Sequence, residues 1–172
     1  ECLHNLKAIG YQTGCGIMAG SPYQTTAHIA EDLDFMHGLQ PEMVGIGPFI
    51  PHHDTSFKDR PAGTLRQTLL LLAIVRLMLP DALLPATTAL GTIEPDGREQ
   101  GVMAGANVVM PNLSPMEVRK KYMLYDNKIS TGMEAAANIK ELKRRMASIG
   151  YEVVTDRGDH KKIKEVPALK TS

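Results

Sequence analysis

Four short apolar segments, each followed by a stretch with helical spacing, constrain this chain more than any other feature. The segments are YQTGCGIMAG (11–20), MVGIGPFIP (43–51), LLPATTAL (83–90) and ANVVMPN (106–112). After the first, TTAHIAEDLDFMHGL sets Ile29, Leu33, Phe35 or Met36, and Leu39 on one helical face, with Thr25 or Thr26 placed to cap it. After the second, TLRQTLLLLAIVRLML is apolar almost all round and is predicted to pack on more than one side. PDGREQGVMAG reads as a short helix after the third. In SPMEVRKKYMLY, after the fourth, Ser114 is the predicted N-cap, Pro115 the first helical residue and Glu117 the capping-box partner. Strand alternating with helix argues for βαβ units and a parallel sheet. Strands this apolar are buried on both faces, which suits a barrel or a doubly wound sheet.

The first strand is not followed by a G-x-G-x-x-G motif, and GCGIMAG lacks the dinucleotide spacing; no P-loop lysine motif occurs either. The expected fold class is therefore α/β, with four βα units forming the C-terminal half of a (β/α)8 barrel over residues 1–131. A helix end, ECLHNLKAIG, precedes the units. Residues 132–172 form a further unit, in which the helix GMEAAANIKELKRRMASIGY and a basic tail pack on the barrel. The lysines and arginines lie toward the helix C-terminus, where the macrodipole favours cations. The chain opens at Glu1, within a helical pattern, as a piece of a longer protein would.

At 172 residues and 43% hydrophobic, the chain is large enough for one domain with a real core. Nineteen basic and 19 acidic residues leave no electrostatic footprint for nucleic acid or an anionic membrane. The longest apolar run, TLLLLAIVRLMLP, is interrupted by Arg76 and is too short to span a bilayer. The start carries no signal-peptide pattern. Cys2 and Cys15 make no disulfide framework, so a reducing, cytoplasmic location is expected.

In a barrel of parallel strands, chemistry sits at the strand C-termini. Those positions hold Met18 and Pro22; Phe49, Ile50 and His52; Thr87 and Thr88; and Met110 and Asn112. Tyr122 and Tyr125 stand about one turn apart on the next helix. No carboxylate pair, nucleophile elbow or Cys/His dyad is among them. The set describes an apolar pocket with a few neutral hydrogen-bonding groups, suited to a reaction that excludes water while a cofactor carries the hard chemistry. Taken singly, Met18 and Met110 also read as barrel core. Adjacent residues on a strand face opposite sides, so one hydroxyl of Thr87–Thr88 is expected toward the pocket. The same rule sends His52 and His53 apart, and no metal site is expected at His52-His53-Asp54. Pro51 ends the strand's hydrogen bonding, and Asp54-Thr55 reads as a turn. His4, His28, His37 and His160 read as surface or packed.

MVGIGPFIPHHDT, PATTALGTI, GREQGVMAGANVVMPNLSP and YMLYDNKISTG together resemble the C-terminal half of the HydE family, the radical S-adenosylmethionine maturases of FeFe hydrogenases. The resemblance runs in register from Leu3 to Arg157; GIMAGSPYQT also links the chain to biotin synthase and methylornithine synthase. It implies a (β/α)8 barrel that binds a 4Fe-4S cluster and S-adenosylmethionine. Homolysis of the sulfonium gives a 5′-deoxyadenosyl radical, which acts on a small iron- and sulfur-containing substrate. By the same resemblance, Met18 borders the S-adenosylmethionine site, and Phe49, Ile50 and Pro51 meet the adenine, with His52 beside them. Met43, Thr87, Thr88, Met110, Tyr122 and Tyr125 line the substrate cavity. Implied partners are the other half barrel or a second copy of this chain, and other hydrogenase maturases. The family's C-x3-C-x2-C motif is absent from this chain. A cluster of this kind is held by thiolates, so the chain is expected to be inactive alone. Another radical enzyme of the biotin synthase group, and a non-catalytic half barrel that dimerises around a ligand, are the alternatives.

Overall fold

The computed structural model describes residues 1–113, 115–119, 124, 126–127 and 135–161. Helix α1 (Cys2–Ala8) leads into strand β1 (Gly14–Ala19), helix α2 (Thr26–Leu39) and strand β2 (Met43–Pro48). Helices α3 (Leu65–Met78), α4 (Thr88–Ile93), α5 (Gly97–Met103), α6 (Met116–Arg119) and α7 (Ala135–Ser148) follow. The result is a mixed α/β structure with a small parallel sheet. β1 and β2 pair in parallel, from Gly14 opposite Met43 to Ala19 opposite Pro48.

The third and fourth predicted strands shrink to single parallel bridges, Met43 with Leu83 and Pro85 with Val108. Their pairing is still continuous. The Val44 amide donates to Leu83 O and the Leu83 amide to Glu42 O, both at 2.9 Å. The Asn107 amide donates to Leu84 O and the Ala86 amide to Val108 O, again at 2.9 Å. The reason for the shortening is local. Pro85 has no N–H to give to a ladder, and the Leu84 amide is taken by the Asn107 side chain, Oδ1 at 2.8 Å. The segment 83–90 therefore leaves the extended state early, and α4 begins within it, at Thr88.

The first two helices keep their sequence-read faces with one refinement each. Thr25 caps α2: its Oγ1 accepts from the His28 amide at 3.3 Å, and His28 Nδ1 accepts from the Thr25 amide. Met36 and Leu39 are buried and Ile29 and Leu33 pack against the core, whereas Phe35 is 45% exposed. α3 buries Thr68, Leu71, Leu72 and Val75. It packs on the strands and on α5, as expected of a helix apolar almost all round, and leaves one face open, with Leu70 and Leu77 60% and 82% exposed. α7 reaches the common core through Leu142 and Met146. Its Arg145 guanidinium also donates to the Glu99 carboxylate, Nη2 to Oε2 at 2.7 Å, and to Pro95 O. None of the described helices is long and apolar enough to cross a membrane.

At the amino ends of the strands, Glu42 ties α1 to the sheet. Its Oε1 lies 2.5 Å from Lys7 Nζ, and its Oε2 accepts from the Thr13 amide at 2.7 Å. Burial alone would raise the Glu42 pKa. The Lys7 hydrogen bond, the Thr13 amide and the Lys7 charge outweigh it and hold the carboxyl below its usual 4.5. A depressed folded pKa contributes stability above the unfolded value that is lost as pH falls through the folded one. Glu42→Gln is therefore expected to cost about 1 kcal/mol at neutral pH. The gap from the parent should close as the pH drops below 4.5. Urea midpoints across that range check this, and a gap independent of pH would remove Glu42 as its source.

Candidate functional site

Alternation along the two strands divides the sheet. Cys15, Ile17 and Ala19, with Val44, Ile46 and Pro48, face the helices, and the last four of these are buried. The other face carries Gly14, Gly16 and Met18 beside Met43, Gly45 and Gly47, all at least partly open. Register puts Met18 next to Gly47 and Met43 next to Gly14. A Cβ on Gly47 would meet Thr87 Oγ1 at 3.1 Å, so the Thr87 side chain stands over that glycine. Met18, Gly47 and Thr87 thus form one row across the carboxyl end of the sheet.

Thr87 and Thr88 do not alternate on a strand. Thr87 precedes α4 as its N-cap residue, with extended backbone, and Thr88 is the first helical residue. Thr88 Oγ1 accepts from Arg98 Nη2 at 3.4 Å, which directs it to α5. The Thr87 hydroxyl is buried and has no hydrogen-bond partner among the described residues. A buried hydroxyl left unpaired costs roughly 1–3 kcal/mol. Met110 is 53% exposed and Met18 56%. Asn112 is half-buried, and its carbonyl accepts from Asn138 Nδ2. Tyr122, Tyr125 and the predicted cap Ser114 lie outside the described residues.

The segment after β2 forms the rim. The Phe49 amide donates to Ala19 O and the Gly63 amide to Phe49 O, each at 2.8 Å, so both ends of the loop 50–62 are anchored beside β1. Phe49 is buried and meets Phe57 edge-on at 6.3 Å; Phe57 meets Tyr23 at 6.5 Å. Arg60 lies 4.9 Å over the Tyr23 ring and donates to its hydroxyl. Ile50 and Pro51 are half-buried, and Pro51 O accepts from the Asp126 amide at 3.1 Å.

His52 and His53 depart from expectation. Their rings stack at 4.3 Å with planes 22° apart, because β2 ends at Pro48 and strand alternation no longer governs the turn beyond Pro51. His52 Nδ1 accepts from the Asp54 amide at 3.1 Å, and Thr55 turns back onto His52 O. His53 is exposed yet held: Nδ1 lies 2.7 Å from Asp126 Oδ1 and Nε2 3.4 Å from Asp54 Oδ2. The Asp126 hydrogen bond, then the Asp54 and Asp126 charges, push the His53 pKa up, and the same hydrogen bond lowers that of Asp126. Sequence reasoning missed Asp126, since no periodicity links residues 73 positions apart.

Cys2 is exposed on α1. Cys15 faces the helices, its thiol pKa pushed up by burial and then by Asp32. Two thiols on separate elements do not make the thiolate set of an iron–sulfur cluster. The chain's own donors therefore do not fit that group.

No family model matches the chain. It is 43% identical over 165 residues, 96% of its length and 47% of the relative, to the FeFe hydrogenase maturase subunit HydE of Thermotoga maritima. It is 29% identical over 146 residues, 85% of its length and 40% of the relative, to the 3-methylornithine synthases of Methanosarcina acetivorans and Methanosarcina barkeri. The chain thus spans about half the length of the curated relatives it matches. With that identity carried across nearly every residue, the chain is similar in sequence to about half of a HydE protein and, more distantly, to 3-methylornithine synthase.

Proposed function

We propose that the chain forms the carboxyl-terminal half of a (β/α)8 barrel in a HydE-like enzyme of FeFe hydrogenase maturation, and that it supplies most of the substrate cavity. The parallel order β1, β2, 83–86, 106–108 supports the half-barrel reading. Among the described residues β1 pairs only with β2, which leaves an edge for the other half barrel or a second copy. In the full-length family, S-adenosylmethionine and a 4Fe-4S cluster supply a carbon radical, with the cluster ligands outside this chain. Here Phe49, Ile50 and Pro51, with His52, border the adenosyl group and exclude water. Met18, Met43, Thr87 and Met110 shape the substrate end.

The observation that carries this reading is the unpaired, buried Thr87 hydroxyl standing over Gly47, the strand partner of Met18. Thr87→Val in the full-length, reconstituted protein tests it. Removing an unsatisfied hydroxyl should leave the urea midpoint unchanged or raised. Loss of a hydrogen bond to substrate should lower substrate-dependent turnover about tenfold or more. Unaltered turnover with unaltered stability would take Thr87 out of the cavity. The 29% identity to 3-methylornithine synthase supports a second reading, a radical enzyme acting on an amino acid. Formation of 3-methylornithine by the full-length protein would favour it.

A further inference from the structure

The turn after β2 brings three potential metal donors together. One donor atom each of His52, His53 and Asp54 lies within 4.8 Å of the others. We propose that these residues form a rim site for a divalent transition metal, with Asp126 as the group that orients His53.

His53 Nε2 and Asp54 Oδ2 are 3.4 Å apart. Two ligands on a tetrahedral ion at roughly 2.0–2.1 Å are separated by about 3.3 Å, so an ion enters between them with little movement. On its far side His53 gives Nδ1–H to Asp126 Oδ1 at 2.7 Å. A metal-binding histidine typically donates its second ring N–H to a carboxylate, which fixes the tautomer and makes the ligating nitrogen more basic. Here that contact leaves the Nε2 lone pair facing Asp54. His52 joins by turning its ring out of the stack, exchanging the 3.1 Å contact with the Asp54 amide for a metal–nitrogen bond. Two imidazoles and one carboxylate favour zinc, nickel or copper over magnesium or calcium. Three protein ligands on an exposed turn leave a fourth position for water or a small ligand, as in an open site.

The test is a cobalt(II) titration of the untagged full chain, followed by visible absorption, with zinc competition. We expect one equivalent to bind, His53→Ala and Asp54→Asn each to weaken it more than tenfold, and zinc to displace it. Asp126→Asn, which keeps every ligand, should weaken binding roughly 10–100-fold while the absorption spectrum keeps its shape. Urea midpoints verify that the variants remain folded. No cobalt spectrum, or equal affinity in the parent and His53→Ala chains, would overturn the site. Equal affinity in Asp126→Asn would overturn the role of Asp126.

Discussion

Replacing Gly63 with alanine is expected to destabilise the chain by roughly 3 kcal/mol and to lift the loop 50–62 off the sheet. The new Cβ would lie 2.1 Å from Ala19 O and 3.0 Å from the Phe49 amide nitrogen. Both are backbone atoms, and they are hydrogen-bonded to each other at 2.8 Å. Neither can move aside like a flexible side chain. The Gly63 amide is fixed at the same point by Phe49 O, so the strain passes to β1 or expels the loop. Expulsion would break the line of rings from Phe49 through Phe57 to Tyr23. A urea midpoint close to that of the parent would show that Gly63 is not seated against Ala19. Hydrogen exchange at Phe49 would separate a displaced loop from a distorted strand.

Loss of the Glu99 carboxylate is the second large expected effect. Its side chain is 10% exposed, and that of its partner Arg145 is 29%. Breaking a well-buried ion pair by removing one member costs about 3–5 kcal/mol; the partial exposure of Arg145 reduces this to roughly 2–3 kcal/mol. After Glu99→Ala the guanidinium keeps Pro95 O as an acceptor and the weaker attraction of Glu141, but loses its direct ion pair. The consequence should be local first, since α7 is held by this pair together with Leu142 and Met146. Faster amide exchange in α7 than in α3 is the expected result. Uniform loss of protection would show that α7 and the sheet unfold as one unit.

The sequence disclosed those elements whose cause is local. β1, β2 and the inner faces of α2 and α3 follow from periodicity. The cap at Thr25 follows from side-chain chemistry, although its capping-box partner is His28 rather than an acid or amide. The third and fourth strands were harder to read, because their apolar residues promise extended chain while Pro85 limits the pairing. Thr87 and Thr88 stand at a helix start instead of on a strand, which no local pattern marks in advance. His52 and His53 were assigned opposite directions by a rule that stops applying where β2 ends. The contacts of His53 with Asp126 and of Glu99 with Arg145 join distant positions, and no local pattern encodes such pairs.

The glycines on the open face of β1 and β2 have a further consequence. Gly14, Gly16, Gly45 and Gly47 leave peptide planes where another sheet would present side chains. At Gly16 this is enforced: a Cβ would fall 2.2 Å from Gly45 O, so no larger residue fits unless the strands part. Peptide groups already committed to a ladder offer a guest flat contact and little else. Such a surface is indifferent to what rests on it. If a ligand rests there, as proposed above, discrimination falls to Met18 and Thr87 at the margins. A scaffold of this design can change its guest by altering a few marginal residues while its base stays the same.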